Sequence, residues 1–388
     1  MVSGVACGVK ASGKPDLALL SCPSGAKAAA VFTTNSIVAA PVEICRKHMT
    51  SKTVYGAVIN SGNANACTGE KGMIDAMSMC RVAAEQFECD SSEVMIASTG
   101  IIGEKLPIDK IKAGIVEAAK CLSARAAAGK RFAESIMTTD TRPKQAVRKF
   151  MISGQEVTIA ATAKGAGMIG PNMATTISVI TTDVVISRSL LYKALKTAIG
   201  KSLNRLTVDG HQSTNDTAMI LASGAAQNRS ISSECPRFNK FQKELSELCS
   251  DLARQIAMDA EGATRIFRVE VRGALSKSDA AKAARAVADY DLVKCAVHGA
   301  DPNWGRIICA VGSCGVKLNP GRLGCRIGGV WVFKNGRPAK FDKKKVSKII
   351  SQKEHEIIIE LGSGSASDHC FGCDLSKEYV TINADYHT

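Results

Sequence analysis

Lys164-Gly165-Ala166-Gly167-Met168-Ile169-Gly170-Pro171-Asn172-Met173-Ala174-Thr175-Thr176 is the stretch on which the reading of this chain turns. From Gly165 to Gly170 it matches GxGxxG, and Asp183 follows at the distance of a ribose-binding acid. A dinucleotide fingerprint needs a helix to open at the glycines and present its N-terminus to a pyrophosphate. Here Pro171-Asn172 comes next, and then TISVITT at 176–182, a β-branched run that reads as a strand. No helix opens where the ligand would need it, so a dinucleotide-binding parallel sheet is excluded.

Outward from this stretch, strand and helix patterns alternate. Strands are predicted over 54–60, 94–97, 176–186, 218–222, 266–271, 357–361 and 379–383. Two hairpins are predicted, 146–152 with 156–161 around Ser153-Gly154, and a second around Asn335-Gly336. Helices are predicted over 71–87, 109–122, 188–203, 238–258 and 278–289, from apolar residues at helical spacing. Hairpins mixed with helices point to an α/β (α+β) fold, a layered sandwich of mixed sheets and helices.

Three glycines and a proline ahead of Thr175 suit a strained path beside a hydroxyl. One chemistry uses such a path. A threonine hydroxyl attacks the preceding carbonyl, an ester forms, and water releases a new N-terminal threonine whose amine becomes its own base. An α-amine titrates near pH ~8, close to the working range. On spacing alone, a threonine that merely opens a strand is the favoured reading.

The rest of the chain narrows the classes. It has 388 residues, 45% hydrophobic and 22% charged, with a formal charge of +14. Disorder is excluded by these proportions. Up to residue 174 there are twenty basic and fourteen acidic side chains, and thirty and twenty-two after it. The positive charge is therefore spread, without a basic tail. The short run Lys343-Lys344-Lys345 reads as a solvated face. With only 2 Trp, 5 Tyr and 10 Phe to stack on bases, no nucleic-acid partner is expected. No apolar run reaches membrane-spanning length, so no membrane partner is expected. The start of the chain lacks a secretory pattern, which predicts a cytoplasmic protein, with a plastid or the mitochondrial matrix as the alternative if a transit peptide has been trimmed.

Fifteen cysteines, an odd number scattered singly, predict reduced thiols in a reducing compartment. Cys7, Cys45, Cys67, Cys80, Cys121 and Cys309 are expected as small buried apolar residues. Cys370 and Cys373 form a lone CxxC, expected as two loop thiols, because no second pair stands at zinc spacing. No metal and no cofactor is expected. Six histidines offer poor material for a serine triad.

Eight blocks in order then carry a resemblance: NSGNANACTG (60–69), ASTGIIGE (97–104), TTDTRPK (138–144), the 164–175 run, DGHQSTNDT (209–217), AEGAT (260–264), GADPNWGR (299–306) and INADYHT (382–388). Together they resemble the ornithine acetyltransferase family, the bifunctional glutamate N-acetyltransferases of arginine biosynthesis, over essentially the whole chain. His211-Gln212 and His387 depart from the family pattern. The resemblance implies a self-cleaving fold similar to the N-terminal-nucleophile type, with a smaller C-terminal lobe. It implies cleavage between Ala174 and Thr175, giving an alpha chain (1–174) and a beta chain (175–388) that fold together. Thr175 would be the nucleophile, and Thr99 and Gly100 the oxyanion hole. Thr138, Lys164, Thr175, Glu261, Asn383 and Thr388 would contact substrate. The implied substrates are N2-acetylornithine and glutamate, with acetyl-CoA as a further donor, and the implied assembly is two alpha and two beta chains. Lys164 and Thr138 suit a carboxylate and Glu261 a cationic amine. The rival expectation is an autocleaving aminopeptidase of related fold, which would pass its acyl group to water.

Overall fold

The computed structural model describes residues 1–170 and 176–385. Ala174, Thr175, His387 and Thr388 lie outside the described residues. The predicted hairpin is Lys144–Ile152 with Gln155–Lys164, turning at Ser153 and Gly154, both at positive φ, as a tight two-residue hairpin turn requires. Gln155–Lys164 pairs antiparallel with Ile177–Thr182, ending with Lys164 opposite Ile177. The connection from 165 to 176 thus leaves and rejoins the sheet at one point. That point is one end of an eight-stranded mixed sheet.

Its order is Val94–Ile101, Val54–Asn63, Leu17–Phe32, Thr217–Ala222, Ile177–Thr182, Gln155–Lys164 and Lys144–Ile152, with Val2–Val5 on Leu17–Phe32. Leu17–Phe32, the sixteen-residue central strand, is not among the strands expected from sequence. Pro23-Ser24-Gly25 inside it reads as a turn, but the register slips between Ser21 and Ala26, so the breakers sit in a bulge.

Both faces of the sheet are buried. Ile177, Val179, Met219 and Leu221 pack into one core with helices Ala40–His48, Gly69–Phe87 and Ile108–Lys120. Their neighbours Ile180, Ala218, Ile220 and Ala222 turn to the other, with Arg188–Lys201 and Pro236–Met258. The alternation is the period of a strand with two apolar partners. A smaller C-terminal lobe has a six-stranded sheet ordered Arg337–Pro338, Val330–Lys334, Gly324–Ile327, Glu354–Glu360, Ile266–Ala274 and Ala366–Cys373. Its core includes Ala283, Val287, Ile307 and Val346 from the covering helices. The layered mixed fold is as predicted.

Three local expectations need correction. The residues 379–383 form part of a helix, Lys377–Asp385, and not a strand. Ser376 stands just before it, and its hydroxyl accepts the Tyr379 N–H at 3.3 Å, the bond of a helix N-cap. That cap outweighs the β-branched run Val380-Thr381-Ile382. Cys370 and Cys373 lie on the strand Ala366–Cys373 and are buried, not on a loop. Of the six cysteines expected inside, Cys45 and Cys80 are buried and Cys7 is partly so, whereas Cys67, Cys121 and Cys309 are exposed. Cys121 falls at the end of Ile108–Lys120, and Cys309 on the outer face of Trp304–Ser313 between buried Ile307 and Ala310.

Candidate active site

Where the strands Val94–Ile101 and Gln155–Lys164 end, a cavity of about 280 Å³ opens. Thr99, Gly100, Thr138, Lys164, Glu261 and Asn383 all line it, with Asp209, His211, Ser213, Asn215 and Tyr379. Six residues singled out from sequence, spread over nearly three hundred positions, thus share one pocket.

The Thr99-Gly100 wall is made by a close backbone crossing. Val94–Ile101 runs parallel to Val54–Asn63, and the register slips at Gly62 and Asn63. Gly100 has φ +133°, and a Cβ there would lie 2.3 Å from the Gly62 carbonyl carbon, so no side chain is admissible. Buried amides hold this crossing. Asn215 Nδ2 donates to the carbonyls of Ala64 (2.6 Å) and Ser98 (2.8 Å), and Asn60 Nδ2 donates to the Asn63 carbonyl at 2.9 Å. Each satisfies a carbonyl that burial would otherwise leave unpaired.

The opposite wall carries charge. Lys164 is buried, and its Nζ donates to Thr138 Oγ1 at 3.1 Å. Burial pulls the Lys164 pKa below the usual lysine value, and the Lys144 ammonium adds to that, against the carboxylates of Asp140, Asp216 and Glu261. For Asp140 burial works the other way, yet Lys144, Lys164 and the Gly165 N–H together hold its carboxyl below the ordinary range. A buried cation is therefore kept among anions.

Glu261 sits against the glycine run. Its backbone N–H donates to the Ala166 carbonyl at 3.0 Å. A Cβ on Gly167 would lie 2.1 Å from its Oε2, so a side chain there would push the carboxylate aside. Asn383 Nδ2 donates to the same Oε2 at 2.9 Å, which brings the C-terminal helix to the pocket. Asp209 anchors the run from below: Oδ2 accepts the Met168 N–H at 2.8 Å and Oδ1 the Ile169 N–H at 2.9 Å, while the Tyr379 hydroxyl donates to Oδ2 at 3.1 Å.

Asp140, Lys144, Asp209, Asn215 and Tyr379 had no role in the sequence reading. The first four lie inside the blocks 138–144 and 209–217, but nothing in a linear pattern says which polar residue of a block turns inward. Thr175, Thr388 and Ala174 are outside the described residues. Among the described residues, no group of three or more His, Cys, Asp or Glu side chains could hold a metal ion, and no helix is long and apolar enough to cross a membrane. The pocket offers hydroxyls, the buried Lys164 ammonium and the carboxylates of Glu261 and Asp209, a set suited to a small zwitterion with an acyl group.

A family model described as the ArgJ family matches residues 1–388. The arginine biosynthesis bifunctional protein ArgJ of Symbiobacterium thermophilum is 44% identical over 377 residues, covering 97% of this chain and 93% of its own length. That of Caldanaerobacter subterraneus subsp. tengcongensis is 42% identical over 392 residues, covering 100% and 96%. The crystal structure of the arginine biosynthesis bifunctional protein argJ from Bacillus halodurans superposes with a TM-score of 0.52 at 40% identity, covering 53% of this chain and 97% of that one.

Proposed function

The chain belongs to the ArgJ family, and on that premise we propose that it moves an acetyl group from N2-acetylornithine to glutamate, after cutting itself between Ala174 and Thr175. It is an enzyme of arginine biosynthesis, a glutamate N-acetyltransferase. The observation that carries the finer reading is the gathering of Thr99, Gly100, Thr138, Lys164, Glu261 and Asn383 around one cavity, at the sheet end where 165–176 begins and ends.

In this reaction Thr175 Oγ attacks the acetyl carbonyl of N2-acetylornithine, and its own α-amine takes the hydroxyl proton. Thr99 and Gly100 stabilise the tetrahedral oxyanion. The C–N bond breaks, ornithine leaves with the proton from the amine, and an acetyl-threonine ester remains. The amine of glutamate attacks that ester, and N-acetylglutamate departs. Lys164 and Thr138 hold the substrate carboxylate, and Glu261, steadied by Asn383, holds the cationic δ-amine of ornithine. Thr388 completes the substrate contacts. Acetyl-CoA serves as a second donor to the same threonine, with the CoA thiol as leaving group. The working unit is two chains of 1–174 and two of 175–388, in the cytoplasm.

A denaturing gel with N-terminal sequencing tests the cut. Two bands, the larger beginning at Thr175, are expected, and Thr175→Ala is expected to abolish both cleavage and transfer. Active protein that runs as one intact band would sink the mechanism. Release of free acetate in the presence of saturating glutamate, with no N-acetylglutamate formed, would favour the hydrolytic rival.

A further inference from the structure

We propose that the buried cluster Asp140, Lys144 and Asp259 is a positioning device, which fixes the three substrate-contacting residues Thr138, Lys164 and Glu261 relative to one another. This rests on the substrate contacts assigned above.

The cluster closes a ring of bonds. The Lys144 side chain is wholly buried, and its ammonium donates to a carboxylate oxygen of both Asp140 and Asp259. Asp140 Oδ2 accepts the Thr138 N–H at 2.9 Å, and Oδ1 accepts the Gly165 N–H at 2.8 Å. One carboxylate thereby holds the backbone of Thr138 and of the residue after Lys164, the two partners of the 3.1 Å Lys164–Thr138 bond. Asp259 Oδ2 accepts the Thr141 N–H at 3.0 Å. Two residues past Asp259 stands Glu261, whose N–H returns to the Ala166 carbonyl beside Gly165. Each link is short and main-chain anchored, so the substrate contacts cannot shift independently.

A purely structural role accounts poorly for this cluster. A buried ion group costs desolvation, and apolar residues of similar volume often do as well or better. The two carboxylates are balanced by Lys144 and by Arg142, whose Nε lies 3.9 Å from Asp259 Oδ1. The cluster also joins residues 140 and 144 to residue 259, on either side of the proposed cut. After cleavage it would tie the two polypeptides together at the site.

The test separates positioning from stability. Lys144→Met/Asp259→Leu removes the Lys144–Asp259 pair, leaves Asp140 with Lys164 as its cation, and is expected to lower the melting temperature yet stay folded at the assay temperature. Its KM for N2-acetylornithine is expected to rise about tenfold or more, with kcat changed by less than about threefold. A wild-type KM in the folded double variant would overturn the proposal. If the double variant does not fold, Asp259→Asn, nearly isosteric, is read by the same KM and kcat split. A wild-type enzyme that transfers no acetyl group would instead overturn the functional reading, so the two failures are distinguishable.

Discussion

Two regions of this molecule bury titratable groups, and they do it in opposite ways. Around the pocket, buried charge is answered at three residues: Lys164 by Thr138 and Asp140, Lys144 by Asp140 and Asp259, and Asp209 by three N–H donors and the Tyr379 hydroxyl. In the C-terminal lobe His355 and the buried thiols stay neutral, whereas buried Asp374 is held charged by Thr264, Arg265 and His298. His355 is 6% exposed, stacks on Phe267, and among the described residues has no hydrogen bond to either ring nitrogen. Burial, helped by the Arg265 charge, pushes its pKa down to about 4 against the weaker pull of Asp374 and Glu354. Burial likewise pushes the thiols of Cys325, Cys370 and Cys373 up to about 12, which leaves them inert as nucleophiles. The contrast shows that the hydrogen bonds keeping charge inside near the pocket also fix the residues that face it, Thr138 and Lys164 among them. Where desolvation leaves His355 and the thiols neutral, they serve as packing.

The largest expected effect tests the first half of that contrast. Lys144→Met leaves Asp140 and Asp259 facing each other without a cation, and should cost about 3–5 kcal/mol in urea unfolding. A loss under about 1 kcal/mol would mean the pocket does not depend on answered charge. Next, Thr99→Ala should lower kcat about 10²–10³-fold, with the protein folded and KM little changed, if Thr99 donates to the oxyanion. A matched fall in affinity instead would place Thr99 in ground-state binding.

The third prediction concerns the lobe. His355 is neutral in the fold, while in the unfolded chain it takes up a proton near pH 6.5. Its contribution is therefore complete above pH 6.5 and is lost as the pH falls from 6.5 to about 4, a total of about 3 kcal/mol. His355→Phe should flatten that part of the stability-against-pH curve. An unchanged slope would mean His355 has an unseen partner. The smallest effect is expected where the regions meet. Arg254 on Pro236–Met258 pairs with Glu354 on the lobe sheet, but the two are 50% and 34% exposed. Arg254→Ala should cost less than about 1 kcal/mol, measured by the same unfolding.

Much of this was legible in the sequence, for identifiable reasons. Periodicity marked the Gly69–Phe87 and Pro236–Met258 helices, because one apolar face repeats every turn. Ser153-Gly154 marked its hairpin, because both residues accept positive φ. Pro171-Asn172 and the β-branched run after them argue against a dinucleotide fold, and eight blocks in order point to Thr99, Gly100, Thr138, Lys164, Glu261 and Asn383. The C-terminal helix was misread, because its cap is a serine bond that propensity does not weigh. Leu17–Phe32 was missed, because a bulge can absorb a proline that elsewhere ends a strand.

What the sequence determined by itself was local: which segments could be helix or strand, where glycine was needed, and which chemistry its motifs resemble. What only the tertiary structure decided was pairing. Asp140 and Asp259 are ordinary acidic residues in the linear chain, 119 positions apart. They become a single unit because the hairpin ending at Lys164 and the end of Pro236–Met258 meet beside the same ammonium. Electrostatic energy in a buried site depends on distance and on solvent exclusion, and neither quantity exists until the chain has folded.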